Sequence, residues 1–121
     1  MNAIGLQNVG IEAFIAEKLP FLRECGAPLV VNIAGETVED FAFLCERLNR
    51  ETGISAIELN ISCPNVSHGL DFATDPKLAR EVVSAAKAVS RVPVFAKLSP
   101  NVTDITQIAR AAQDGGADAL C

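Results

Sequence analysis

The chain has 121 residues, 50% of them hydrophobic, with 10 basic and 15 acidic residues and a formal net charge of -5. This apolar fraction excludes a disordered chain. The negative charge argues against a nucleic-acid partner, because phosphate contacts come from clustered Lys and Arg. No apolar run reaches the roughly 18 residues that a membrane span needs, and no secretory signal is visible at the N-terminus. We therefore expect one globular unit with neither nucleic acid nor a membrane as partner.

The cysteines indicate a reducing environment. Cys25, Cys45, Cys63 and Cys121 are irregularly spaced and include no C-x-x-C pair, and His68 is the one histidine. Zinc sites usually bring their ligands in close pairs, so we expect no metal. The apolar composition supplies a core without disulfides, and we expect reduced thiols in a cytoplasmic protein.

The first half of the chain predicts helix, strand and helix. Apolar residues recur at helical spacing over 10–25, although Pro20 kinks or divides that helix. The run PLVVNIAG predicts a buried strand over about 28–33, apolar on both faces as parallel strands are. Thr37 is the expected N-cap of a second helix, which Gly53 closes.

The second half repeats the alternation. AIELNIS predicts a strand over about 56–61, and Asp75 followed by Pro76 is a typical helix start. VPVFAKL predicts a third strand over about 93–98. We expect Thr103 to cap the last helix, after which ADALC begins a fourth strand.

This alternation predicts an α/β fold with a parallel sheet. The dinucleotide-binding G-x-G-x-x-G and the P-loop are both absent. The expected architecture is part of a (β/α)8 barrel, with a doubly wound sheet as the alternative. A complete barrel takes ~250 residues, so the chain reads as a central segment holding about half of one. Such a half-barrel has open sheet edges that favour self-association.

Polar residues collect just after the predicted strands, where parallel α/β proteins build their sites. The densest cluster is ELNISCPNVSHG, with Asn60, Cys63 and Asn65. Amide side chains both donate and accept, which suits a planar heterocycle, and a cysteine of low pKa can take a proton. The ordinary alternative is that Asn60 satisfies loop backbone and Cys63 is a small buried apolar residue.

Lys97 ends an otherwise apolar strand. A lysine there either faces an anionic partner in a polar pocket or extends to solvent. Glu58 points to the same side as Asn60 and is a candidate ion-pair partner for Lys97 if their strands are neighbours.

Three separated motifs carry a family resemblance: NAIGLQN at 2–8, ELNISCPNV at 58–66 and AKLSPNVTDI at 96–105. With VNIAG and DFATDP they make the chain resemble the central part of a class 1 dihydroorotate dehydrogenase, most like the class 1B catalytic subunit. The resemblance implies a (β/α)8 barrel that binds FMN at its C-terminal face. It also implies oxidation of dihydroorotate to orotate in pyrimidine biosynthesis, with Cys63 as the base.

The same resemblance implies the contacts. The side chain of Asn2 and the backbone of 4–6 would contact orotate, and two further asparagines would hydrogen-bond the pyrimidine. The FMN contacts would come from three side chains, one of which also contacts the substrate. The implied substrate residues are Asn2, Ile4, Gly5, Leu6, Asn60 and Asn65, and the implied FMN residues are Asn32, Asn60 and Lys97.

The implied partners are an iron–sulfur FAD subunit that passes electrons on and further copies of the full-length chain. NAD and fumarate both remain open as final acceptor. The family's first strands and its FMN-phosphate loops lie outside these 121 residues. We therefore expect this chain alone to be inactive and to bind FMN weakly or not at all. The alternatives are the flavin domain of a dihydropyrimidine dehydrogenase and a non-catalytic truncated segment.

Overall fold

A computed structural model describes residues 7–62 and 71–121. Four parallel strands lie in one sheet in the order β1-β2-β3-β4, and helices connect them. The strands are β1 (Val30–Ile33), β2 (Ala56–Asn60), β3 (Val94–Lys97) and β4 (Ala119–Leu120). The helices are α1 (Ile11–Ala13), α2 (Leu19–Glu24), α3 (Val38–Leu48), α4 (Pro76–Val89) and α5 (Ile105–Asp114).

The predicted first helix has three consecutive parts. A π-helical turn, Phe14–Lys18, joins α1 to α2, and Pro20 lies at the start of α2. Proline has no N–H to donate to the carbonyl four residues earlier, so a regular α-helical ladder cannot pass through it. The wider π turn directly before Pro20 is consistent with that loss, and it divides the helix where the sequence indicated.

Side-chain caps set the starts of the longer helices. Thr37 and Asp40 form a reciprocal capping box at α3, and Asp75 accepts from the backbone N–H groups of Lys77 and Leu78 at α4. The prediction of Thr103 as the last cap is wrong: Asp104 caps α5 and accepts from the backbone N–H of Thr106. A carboxylate there also meets the positive helix end, which a threonine hydroxyl cannot match.

The strand order favours a barrel over a doubly wound sheet. Each strand pairs in parallel with the next strand along the chain, and β2 and β3 align Asn60 with Lys97. A doubly wound sheet reverses its order at a switch point, whereas barrel strands follow one another without reversal. The four strands therefore form about half of a (β/α)8 arrangement.

One face of the sheet packs under the helices and forms the core. Its strand residues alternate with those of the opposite face, as the two-residue period of a strand requires. Phe41 and Phe72 meet edge to face at 5.7 Å between ring centroids. The buried strand residues on this face are Val31, Ile33, Ile57, Leu59, Val94 and Ala96.

The opposite face of the sheet is not covered by helices in the described part of the chain, and apart from the buried Ala56 its strand residues are half-buried or exposed. Val30 is 44% exposed, and Asn32 beside it is also exposed. Glu58, Asn60 and Lys97 on the neighbouring strands are half-buried. In a (β/α)8 arrangement this face lines the barrel interior.

Three predictions concern a membrane, the cysteines and a metal. Within the described residues, no helix has both the length and the apolar composition to cross a bilayer. Cys25, Cys45 and Cys121 are free thiols, while Cys63 lies outside the described residues. Over 7–62 and 71–121, no three His, Cys, Asp or Glu side chains come together as a metal-binding group.

Candidate active site

The structure places three of the predicted site residues at the carboxyl ends of adjacent strands. Asn32 lies on β1, Asn60 ends β2 and Lys97 ends β3. All three belong to the face that the helices leave uncovered. The remaining predicted site residues lie outside the described part of the chain: Asn2, Ile4, Gly5, Leu6, Cys63 and Asn65.

A hydrogen-bonded cluster joins the ends of β2 and β3. Lys97 Nζ donates to Ser62 Oγ at 2.6 Å and, more weakly, to Asn60 Oδ1 at 3.4 Å. Ser62 Oγ in turn donates to Asn60 Oδ1 at 2.6 Å. All three side chains are half-buried, which shields the cluster partly from water and strengthens its hydrogen bonds.

Glu58 does not pair with Lys97, so that candidate ion pair is wrong. In the register, Glu58 is opposite Asn32 on one side and Phe95 on the other, whereas Lys97 is opposite Asn60. The Glu58 carboxylate instead accepts from Asn32 Nδ2 at 2.6 Å. Position on adjacent strands was right, but a shift of two residues along the strands separates the two charges.

Cys121 adds a thiol to the same face. Its backbone N–H bonds the carbonyl of Ala96 and its own carbonyl accepts from Leu98, which places it beside Lys97. Partial burial and the hydrogen bond to Glu58 raise the pKa of this thiol, while the positive charge of Lys97 acts in the opposite direction. The thiol form is therefore favoured.

The arrangement suits a planar ligand with an anionic edge. Within the described residues the Lys97 ammonium contacts two neutral oxygens and forms no ion pair. A half-buried cation without an anionic partner favours a negatively charged group that would complete the site. Asn60 on the adjacent strand and Asn32 one strand further offer amide groups for the polar atoms of a ring.

Ser62 is the member of the polar cluster that the sequence reasoning missed. The sequence shows no base partner for this serine beside Cys63, but its hydroxyl bridges two predicted site residues. Period-two alternation was the available signal, since 58, 60 and 62 fall on one side if the strand direction continues. The pattern could not show that the side chain reaches across to β3.

The fold and the site define a class: a βα-repeat segment of the barrel type, with a cation and amides at the carboxyl ends of its strands. The dihydroorotate dehydrogenase family model matches residues 1–121. The chain belongs to the dihydroorotate dehydrogenase family.

Three curated relatives of this chain share one name. The chain is 54% identical over 121 residues to the Geobacter sulfurreducens protein called dihydroorotate dehydrogenase B (NAD(+)), catalytic subunit. It is 53% identical to the protein of that name from Exiguobacterium sibiricum, and 55% identical over 120 residues to that from Latilactobacillus sakei. These alignments cover 99%, 99% and 97% of this chain but 40%, 39% and 39% of the relatives. The chain thus spans about two-fifths of the length of the relatives it matches.

Proposed function

We propose that the full-length protein is an FMN-dependent dihydroorotate dehydrogenase that oxidises dihydroorotate to orotate in pyrimidine biosynthesis. Residues 1–121 would be the central segment of its flavin-binding barrel domain. The observation that carries the proposal is the Lys97–Ser62–Asn60 cluster at the strand ends of a chain from this family. The named relatives support the same activity.

The described residues fit a flavin. Lys97 would face the N1 side of the ring, where a positive charge offsets the negative charge of the reduced form. Asn32 and Asn60 would hydrogen-bond polar ring atoms, and the Glu58 carboxylate holds the Asn32 amide in place. When bound, the flavin supplies the hydride acceptor, which no side chain can provide.

The proton chemistry is proposed for Cys63. A thiolate at this position would remove the C5 proton of dihydroorotate while hydride leaves C6. Asn2, the backbone of 4–6, Asn60 and Asn65 would hold the substrate ring through its carbonyl and N–H groups. Oriented binding of this kind lowers the barrier because the reacting atoms start in contact.

The proposed setting is the cytoplasm, where free thiols such as the exposed Cys25 persist. Electrons would leave through an iron–sulfur FAD subunit, with NAD⁺ as the final acceptor. The relatives' name, which includes both NAD(+) and "catalytic subunit", supports that choice over fumarate. We also propose that the full-length chain forms a homo-oligomer.

The test is a Cys63→Ala substitution in the full-length protein, assayed for dihydroorotate oxidation. We expect turnover to fall by roughly 10²–10⁴, the contribution typical of a general base, while bound flavin is retained. Cys63→Ser should keep partial activity with its pH profile displaced upward, because a hydroxyl ionises less readily than a thiol.

Cys25→Ala is the matched control, since Cys25 is exposed on the helical side and distant in the chain from the proposed site. It should leave turnover unchanged. Full activity in Cys63→Ala would remove the base assignment. A wild-type enzyme that oxidises dihydrouracil and not dihydroorotate would instead indicate the dihydropyrimidine dehydrogenase alternative.

A further inference from the structure

We infer that Ser62 is a positioning residue of this site: its hydroxyl holds the Lys97 ammonium in place and fixes the Asn60 amide so that its NH₂ group faces the ligand. The inference rests on the proposed function and adds a residue to it. The Ser62 hydroxyl would give Lys97 and Asn60 one defined orientation each.

The direction of each hydrogen bond follows from the chemistry of the groups. An ammonium has donors only, so the 2.6 Å contact makes Ser62 Oγ the acceptor from Lys97 Nζ. The single hydroxyl hydrogen is then available for Asn60 Oδ1, also at 2.6 Å. Ser62 therefore accepts from one site residue and donates to the other at the same time.

These contacts decide which way the Asn60 amide points. Its Oδ1 receives the Ser62 hydroxyl and the longer 3.4 Å contact from Lys97, and the ammonium, which carries donors only, could not pair with the amide nitrogen. The Nδ2 group is thereby directed to the ligand side as a donor. The site thus selects a ligand with an acceptor, such as a ring carbonyl, opposite Asn60.

The backbone around Ser62 holds this residue in a fixed place. Ile61 is fully buried, and its N–H bonds the carbonyl of Leu59, so the turn after β2 is anchored in the core. A serine that only closed a turn would bond nearby backbone. Both hydrogen bonds of Ser62 in the described structure go to side chains, one of them 35 residues away on β3.

Loss of the hydroxyl would release both partners. Among the described residues, Lys97 would keep only its 3.4 Å contact with Asn60, which is too long to hold a flexible ammonium firmly. The Asn60 amide oxygen would lose its 2.6 Å bond from the Ser62 hydroxyl, and a displaced ammonium would no longer hold that oxygen on its side. Both side chains would then have to be ordered by the ligand, which weakens binding.

The experiment uses the full-length protein with Ser62→Ala, and it measures the FMN dissociation constant, the flavin reduction potential and the KM and kcat for dihydroorotate. We expect the FMN dissociation constant to rise roughly tenfold, as for the loss of a hydrogen bond to a charged group. The reduction potential should fall, because a displaced cation stabilises the reduced, anionic flavin less. KM should rise severalfold.

Ser62→Thr and Ser62→Val form a pair of equal shape that differs in the hydroxyl. Ser62→Thr should keep the wild-type FMN affinity, reduction potential and KM, and Ser62→Val should change them as Ser62→Ala does. Ser55→Ala is the second control: Ser55 Oγ accepts from the Leu29 N–H at the opposite end of the sheet. That variant should leave the potential and both binding constants unchanged.

Wild-type FMN affinity and potential in Ser62→Ala, or equal values for the Thr and Val variants, would overturn the inference. These two readouts need no dihydroorotate. If the wild-type protein binds FMN but does not oxidise dihydroorotate, the proposed function fails while the Ser62 inference is still decided by affinity and potential.

Discussion

The two faces of the same sheet differ in burial and in polarity. Leu59 and Asn60 are neighbours on β2 yet point to opposite faces, because side chains alternate along a strand. Leu59 is fully buried under the helices, whereas Asn60 joins the polar cluster at the strand ends. The helix-covered face holds the fold together, and the uncovered face is available for a ligand.

The covered face is also the more uniform of the two. Its strand residues are apolar and its helices contribute Phe41, Cys45 and Leu48 among other buried side chains. On the uncovered face, polar side chains satisfy one another, as in the Asn32–Glu58 pair. Substitutions on the covered face should therefore mainly lower the free energy of unfolding, and those on the uncovered face should mainly reduce ligand binding.

The largest expected difference is between Leu59→Ala and Asn60→Ala in the full-length protein. Leu59→Ala should lower the free energy of unfolding by roughly 2–5 kcal/mol, since it leaves a cavity in a packed core. Asn60→Ala should cost only about 1 kcal/mol, the net value of a hydrogen bond, but should reduce substrate binding. Denaturant unfolding and steady-state kinetics on the same samples would measure both effects.

Equal stability losses for the two variants would contradict the division between the faces. Leu59→Ile is the matched control on the covered side, because it conserves volume and should cost less than about 1.5 kcal/mol.

The reactivity of the cysteine thiols gives a second test of burial under the covered face. Cys45 lies in the core under the covered face, and burial raises the pKa of its thiol to about 12. Near pH 8 its thiolate fraction, and hence its alkylation rate, should be roughly a thousandfold below that of a free thiol of pKa about 8.5. Mass spectrometry after timed iodoacetamide treatment would read each cysteine separately, with the exposed Cys25 as the reactive control.

The raised pKa also has a consequence for stability. The neutral Cys45 thiol is favoured in the folded protein, so its contribution is complete below the unfolded pKa of about 8.5. It is lost as the pH rises from there toward 12. Rapid labelling of Cys45 at pH 8 under native conditions would contradict its burial.

The smallest expected effect is at Asp118, at the amino-terminal end of the sheet. Its carboxylate accepts from Lys87 Nζ and from the Val94 backbone N–H, and these bonds lower its pKa. The stabilisation is therefore present above the unfolded pKa of about 3.9 and is lost as the pH falls through the lower folded value.

Asp118→Asn should cost about 1 kcal/mol or less at pH 7, because the pair with Lys87 is partly exposed. The difference from wild type should shrink below about pH 4. Urea unfolding at pH 7 and pH 3 measures it, and a difference that stays constant with pH would show that the carboxylate charge contributes nothing.

Local signals predicted most of the elements. The apolar runs gave all four strands within a few residues, and Thr37 and Asp75 cap helices as expected. The last cap was misassigned because Thr103 and Asp104 are adjacent and both are good cap residues. The sequence also indicated a break near Pro20 without specifying a π-helical turn.

The sequence predicted where the residues of the candidate site lie on the strands, but not which side chains they contact. The pattern predicts Asn60 and Lys97 at strand ends, and the structure puts them there, with Asn32 near the end of β1. The partner of Glu58 and the bridging role of Ser62 depend on strand register and on side-chain reach between residues 35 apart in the chain.

The alternation of helices and strands, and which end of each strand is polar, can be predicted from the sequence because both follow from local periodicity and capping chemistry. The pairing of polar side chains depends on how the strands align in the folded sheet. A one-residue slip in register reverses which face a side chain occupies, and a shift of two exchanges its partners. The Lys97–Ser62–Asn60 cluster therefore exists because β2 and β3 align as they do.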